Sequence, residues 1–201
     1  MLHDTTAILL AAGESKRFGQ NNKLLENING KSILHRCVDT LLDSNVQRVV
    51  VVTGYNHAAI EHALKAYQSQ KLSTCFNPFF ERGQSSSVKA GINHCNDSSA
   101  ILVCLADMPH VKKSTVNCLI QSSQDNPDST ILAPQFRGKR GNPVLFKKSG
   151  FDSLLSLNGD TGAKHYIEQH PELLRLVSVE DAGIHHDYDA PEDFHTGPSC
   201  Y

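Results

Sequence analysis

Two glycines and three cations, Arg17 and Lys23 among them, crowd the first loop of this chain. Gly13, Arg17, Gly19 and Lys23 all fall within TAILLAAGESKRFGQNNK, directly after an apolar run. A buried strand would deliver such a loop to a sheet edge, a common way to hold a nucleotide phosphate chain. The glycines allow tight turns and leave backbone N–H groups facing an anion. Arginine adds a planar fork and lysine a point charge, which suits a triphosphate better than a neutral ligand. The Walker A spacing is absent, because Gly19 is followed by Gln20. The dinucleotide fingerprint is absent too, since it needs a third glycine. On composition alone a phosphate cradle and an ordinary surface turn with solvated cations both stay open.

Asp107 is the second chemical group. It follows AILVCLA, so it emerges at the carboxyl end of a central strand, where open α/β sheets place their ligands. Magnesium takes one or two carboxylates together with phosphate oxygens. Pro109 stops the strand just beyond and fixes the direction of the chain. The other reading of Asp107 is a cap on the following turn.

The elements that must position these groups alternate between strand and helix. Ala7–Ala11 reads as a buried strand, and Ser32 caps an amphipathic segment that runs to Leu42. RVVVVT at Arg48–Thr53 has the continuous β-branched character of a central parallel strand. A helix is expected over His57–Gln68, a short strand over Ser73–Phe76 and a helix over Ser86–His94. Ala100–Leu105 is a strand, Ser114–Ser122 a helix and Thr130–Ala133 a further strand. Pro143–Phe146 and Leu173–Val179 read as strands and Gly162–His170 as a short helix. The stretch from about Gly138 to Gly162 is expected to form an irregular lobe over the sheet edge. This alternation predicts a three-layer α/β/α sandwich around a mostly parallel, Rossmann-like sheet.

A chain of 201 residues with net charge −2 suits one domain and argues against a polyanion-coating protein. No basic run interleaved with aromatics points to nucleic acid, and no apolar stretch approaches a membrane span. MLHDTTAILL lacks the features of a secretory signal. The six cysteines, Cys37, Cys75, Cys95, Cys104, Cys118 and Cys200, form no C-x-x-C pair, and several sit in apolar runs. Reduced thiols and a cytoplasmic location are therefore expected. The histidines scatter, and the adjacent His185 and His186 read as solvated loop residues.

Leu10-Ala11-Ala12-Gly13 with Arg17, Gly19 and Lys23, followed downstream by Leu105-Ala106-Asp107-Met108-Pro109, resembles the signature of the MobA-like nucleotidyltransferases. Three further segments match in order. Asn77-Pro78 with Gly83-Gln84-Ser85-Ser86-Ser87 resembles the family's base and ribose segment, which implies contacts from Ser85 and Ser86. A plain serine N-cap is the other reading. Arg140-Gly141-Asn142-Pro143-Val144-Leu145-Phe146 and Leu157–Lys164 (LNGDTGAK) resemble the acceptor-facing elements, which implies Arg140, Gly141, Asn142, Pro143, Asp160 and Lys164 there. Asn142 stands where a histidine is frequent. HHDYDAPEDF resembles the carboxylate element near the family's end, with Ala190 where threonine is frequent. It implies Asp189 as a second metal ligand and Asp187 as its neighbour, and it also reads as a helix start with an acidic first turn.

The resemblance spans about Thr5 to Phe194 and implies a fold like that of nucleotide-diphospho-sugar transferases. It implies one nucleotidyltransferase domain over residues 1–201, with nucleotide bound by about the first 110 residues and acceptor by the rest. Leu10, Ala11, Ala12, Gly13, Arg17, Gly19, Lys23, Ser85, Ser86 and Asp107 would line the nucleotide site. Lys23, Arg17 and Asp107 would be catalytic, and Asp107, Asp189 and Asp187 would hold magnesium or manganese. The L-A-A-G variant, with Ala12 where guanylyl-transferring relatives usually have a second glycine, resembles the cytidylyl-transferring branch. A Cβ at Ala12 would narrow the space beside the base and favour a pyrimidine. The implied reaction moves CMP from CTP to molybdopterin, with a molybdoenzyme of the oxidase or dehydrogenase type as recipient. Guanylyl transfer, a sugar- or alditol-phosphate acceptor, and a non-catalytic cofactor carrier are the alternatives.

Overall fold

The computed structural model describes residues 4–15, 22–157, 159, 162–189 and 193. Along the chain the strands are β1 (Thr5–Ala11), β2 (Asn27–Ile28), β3 (Lys31–Ser32), β4 (Arg48–Thr53), β5 (Leu72–Phe76), β6 (Ala100–Leu105), β7 (Ile131–Phe136), β8 (Lys139–Arg140), β9 (Val144–Lys147) and β10 (Leu174–Ser178). The helices between them are α1 (Ile33–Leu42), α2 (His57–Leu64), α3 (Gln84–His94), α4 (Lys113–Asp125), α5 (Phe151–Ser156) and α6 (Gly162–Gln169). Among the described residues, eight strands share one sheet in the order β10-β7-β9-β6-β1-β4-β5, with β8 paired to β7. β1 lies parallel to both β4 and β6, and only β8 and β9 run against the rest.

Side-chain alternation on β1 explains the layers. Ala7, Leu9 and Ala11 pack into one core with Ile33, Leu34 and Val38 of α1 and Val116 and Leu119 of α4. Ile8 points the other way, to Val88 and Ile92 of α3, Phe151 and Leu154 of α5 and Ile167 of α6. Both faces of the strand are thus covered, which is why its sequence is a continuous apolar run. Each large aliphatic or aromatic side chain so withdrawn from water contributes about 1.5–3 kcal/mol. Ser32 caps α1 as its sequence predicts, its hydroxyl accepting from the His35 N–H at 3.3 Å.

The Gly138–Gly162 stretch departs from expectation. It is not an irregular lobe at an edge: β9 inserts antiparallel in the middle of the sheet, pairing Ile101 with Phe146 and Leu132 with Leu145. Leu145 and Phe146 enter opposite cores, so VLFK needed a place covered on both faces. α5 forms because Phe151 and Leu154, three residues apart, share one buried face. α2 ends at Leu64 rather than Gln68, and Tyr67 turns back to α1, where its hydroxyl donates to Asp39 Oδ1 at 2.6 Å. β7 continues through Pro134, whose carbonyl accepts from the Gly141 N–H at 2.9 Å.

The carboxyl ends of β1, β4 and β6 finish level, with Leu10 opposite Leu105 and Ala11 opposite Thr53. That edge carries the glycine loop and Asp107. Its height depends on how closely α3 rides on β1, which Gly91 sets: a Cβ there would lie 2.5 Å from Ile8 Cγ2 and 3.2 Å from Val52 Cγ2. The gain in helix propensity from Gly91→Ala is about 1 kcal/mol, and overpacking a tight core costs about 1–3 kcal/mol. Gly91→Ala is therefore expected to lower the urea midpoint at unchanged m-value; a raised midpoint would contradict the contact.

Candidate functional site

A cleft of about 900 Å³ opens at this edge of the sheet. Leu10, Ala11, Ala12 and Gly13 line one wall and Phe80–Gln84 with Ser87 the other, while Lys23, Asp107 and Asp189 close one end. Among the described residues, nothing stands within 4 Å of the position a Gly13 Cβ would take. The wall at Ala12 is tight: a Cβ on Gly54 would come within 2.8 Å of Ala12 Cβ and 2.6 Å of Phe80 Cβ. Ala12 is thereby packed against the turn after β4, whose Tyr55 N–H donates to its carbonyl at 3.1 Å. Arg17 and Gly19 lie outside the described residues.

Lys23 enters the cleft from a short 3-10 turn, Lys23–Leu25. Asn22 caps that turn by accepting from the Leu24 N–H at 3.0 Å, and Leu24 is buried beneath it. The Lys23 ammonium donates to Asp107 Oδ2 at 2.7 Å and to Asp189 Oδ1 at 2.9 Å. Burial by itself disfavours that charge, yet the facing Asp107 and Asp189 carboxylates outweigh it and hold the amine above its ordinary value. Lys23 is fully protonated at neutral pH. Asp107 follows β6, held there by the Ala106 N–H on the Leu10 carbonyl at 3.2 Å. Its other oxygen, Oδ1, is buried with no hydrogen-bond partner among the described residues. Below it the Cys37 thiol donates to the Ala106 carbonyl at 3.3 Å, and burial with the Asp107 charge pushes that thiol up, away from reactivity.

Asp189 reaches the cleft on a segment that sequence reasoning did not see as fastened. Asp181, 1% exposed, accepts from the Lys112 N–H at 2.8 Å, the Thr115 hydroxyl at 2.6 Å and the Gly183 N–H at 2.9 Å. It thus ties this segment to the start of α4 from a remote part of the chain. The turn after it passes through two contacts that leave no room for a Cβ: one on Gly183 would lie 2.2 Å from the His110 carbonyl oxygen, and one on Gly141 2.4 Å from the Ile184 carbonyl oxygen. Tyr188 then points inward, its N–H on the Asp107 carbonyl at 2.9 Å and its hydroxyl sharing a 2.7 Å hydrogen bond with His110 Nε2. Burial, with His186 and Arg36 near, holds His110 below the usual imidazole value. With Tyr188 inside, its neighbours Asp187 and Asp189 face out. Asp189 lines the cleft; Asp187 does not, and partial withdrawal of its carboxyl from water, with Asp189 and Asp107 close, raises its pKa. His186 is not the solvated residue expected, since its ring packs on His110 and Tyr188 with Nε2 buried. The alternation Asp-Tyr-Asp is the signal that carried this arrangement.

Ser85 and Ser86 use their hydroxyls inside the protein. Ser85 donates to the Gly159 carbonyl at 2.6 Å, and Ser86 donates to the Gly83 carbonyl at 2.8 Å. Ser87, not singled out by sequence, lines the cleft, as does Ser15. A second pocket of about 330 Å³ adjoins the cleft and shares Gln84 and Leu105 with it. Arg140, Gly141, Asn142 and Lys164 line it over a floor of Val88, Val103, Val144 and Ile167. Pro143 instead faces the apolar interior beside Cys37 and Cys104. Asp160 lies outside the described residues.

A mostly parallel sheet with a glycine loop, a lysine and an aspartate at its carboxyl edge defines a nucleotide-binding α/β transferase. The chain belongs to the MobA-like NTP transferase domain family, whose match covers residues 7–173, and it is a nucleotidyltransferase. It is similar to the purine catabolism protein PucB of Bacillus subtilis, 30% identical over 196 residues, covering 93% of this chain and 92% of the relative. It is similar also to nicotine blue oxidoreductase of Paenarthrobacter nicotinovorans, 28% identical over 197 residues and covering 94% of each. Among solved structures, Rv0371c of Mycobacterium tuberculosis shares the fold with a TM-score of 0.81 at 21% identity, covering 97% of both chains. That protein has also been solved in complex with manganese, where the TM-score is 0.76 at 20% identity over 96% of both chains. No helix among the described residues is long and apolar enough to cross a membrane.

Removing Asp181 would leave three donors without their acceptor, two of them buried. Asp181→Ala is expected to cost about 2–4 kcal/mol in urea unfolding. Asp187→Ala, at an exposed position, is expected to change stability by less than about 0.5 kcal/mol. Equal effects would show that the segment is not fastened through Asp181.

Proposed function

We propose that this chain moves CMP from CTP to the terminal phosphate of molybdopterin, releasing pyrophosphate and forming molybdopterin cytosine dinucleotide. The observation that carries the reading is the meeting of Lys23, Asp107 and the Gly13 loop in one cleft, beside a second pocket bearing Arg140 and Lys164. The first cleft suits a nucleoside triphosphate and the second a phosphate-bearing acceptor with an apolar body. Their shared wall at Gln84 and Leu105 is where the two phosphates would meet. We place Ala12 beside the base, and its tight packing favours a pyrimidine. The protein would work in the cytoplasm and deliver its product to a molybdoenzyme of the oxidase or dehydrogenase type.

Asp107 and Asp189 fit a magnesium or manganese ion. Both are hard oxygen donors, and the buried Asp107 Oδ1 lacks a hydrogen-bond partner among the described residues. When bound, such an ion neutralises phosphate charge and polarises the α-phosphate. The chain's own residues do the rest. Gly13 lets the loop backbone approach the phosphates, and Lys23, with Arg17, offsets their charge. Arg140 and Lys164 orient the acceptor phosphate. An ionised acceptor oxygen attacks the α-phosphorus, the bond to the bridging oxygen breaks, and pyrophosphate departs. The nucleophile is already anionic at neutral pH, so no residue needs to take its proton. Catalysis is positioning and charge stabilisation.

The test is pyrophosphate release from CTP and from GTP, with magnesium and molybdopterin. Release with CTP alone supports the reading. Release with GTP alone, or only with a sugar or alditol phosphate, would assign a different transfer, and CTP binding without turnover would mark a carrier. Lys23→Ala and Asp107→Ala are each expected to cut turnover by about 100-fold or more while the thermal melt stays cooperative. Ala12→Gly is expected to raise the GTP-to-CTP ratio of kcat/KM by about tenfold. An unchanged ratio would remove Ala12 from base selection.

A further inference from the structure

Lys23 occupies the place between two carboxylates that an oxygen-seeking cation would take. Its ammonium lies 2.7 Å from Asp107 Oδ2 and 2.9 Å from Asp189 Oδ1, and its side chain is only 14% exposed. Little water screens the contact with Asp107, whose side chain is also largely buried, whereas the half-exposed Asp189 is partly screened and contributes less. Without a cation, Asp107 and Asp189 would repel one another, a repulsion that Asp187 adds to. Lys23 removes that penalty. The same contact opposes a divalent ion twice over, through charge repulsion and through competition for the carboxylate lone pairs.

We propose that Lys23 is an internal counter-cation that competes with the divalent metal for Asp107 and Asp189, so that metal binds tightly only once nucleotide phosphates draw the ammonium away. Lys23 and the Gly13 loop line the same cleft, and a four-carbon stem lets the ammonium change partners without moving the backbone. A triphosphate gives the lysine a new anionic partner and brings oxygens that complete the metal's coordination. Metal and nucleotide therefore tighten each other's binding by the same factor. One lysine then has two duties: it balances the carboxylates in the nucleotide-free protein and the phosphates in the loaded one. This inference rests on Asp107 and Asp189 being the metal carboxylates.

The test uses manganese binding to the nucleotide-free protein, followed by calorimetry and by the electron paramagnetic resonance of free manganese. Lys23→Met keeps the stem and removes the charge, and Lys23→Gln stands in if Lys23→Met loses its cooperative melt. Either uncharged variant is expected to bind manganese at least about tenfold more tightly than the wild type. Lys23→Arg, which keeps the charge, is expected to bind as weakly as the wild type. Asp107→Asn is expected to abolish the gain. Equal affinity in wild type and uncharged variants, with Asp107→Asn still weakening both, would overturn the competition and leave the metal site standing. No manganese binding by any of these proteins would overturn the metal assignment itself, and the competition with it.

Discussion

A lysine ammonium withdrawn from water keeps its charge most readily where carboxylates face it, and that contact organises this site. Lys23, Asp107 and Asp189 come from the start, middle and end of the described chain, yet the Lys23 ammonium lies within 3 Å of both carboxylates. Their meeting requires the turn after β1, the end of β6 and the segment after β10 to converge on one edge of the sheet. Each is held by means other than the charges themselves. The Asn22 cap seats Lys23, the Leu10 carbonyl seats Ala106, and Tyr188 locks the last segment onto the Asp107 carbonyl. The charges are thus preorganised rather than gathered by their attraction, as a site that stabilises phosphate charge needs.

The fastening of the last segment explains how an exposed carboxylate can be placed accurately. Asp181 ties it to the start of α4, and the glycine contacts at Gly183 and Gly141 press it between the end of β6 and the loop before β9. That same loop presents Arg140 and Asn142 to the second pocket. The carboxylate side and the acceptor side of the site therefore share one support.

Much of this was legible in the chain. Continuous apolar runs at Ala7–Ala11, Arg48–Thr53 and Ala100–Leu105 marked strands buried on both faces, and a residue placed just after such a run had to lie at the functional edge. Lys23 and Asp107 were found this way, and the ordered motifs named the family. The insertion of β9 was not legible, because an apolar run reveals that a strand is covered but not which neighbour it pairs with or in which direction. Nor was Asp181, because a fully satisfied buried carboxylate looks in sequence like any surface aspartate. Ser85 and Ser86 show the converse: small hydroxyls beside a glycine turn suit a ligand and suit the loop's own carbonyls equally well.

The central claim is that bond breaking takes place at the α-phosphorus of CTP. Turnover with molybdopterin and CTP labelled at either the α- or the γ-phosphate tests it most directly. The account predicts that the α-label moves to the acceptor and the γ-label leaves in pyrophosphate. Transfer of the γ-label to the acceptor, or of neither label, would contradict it.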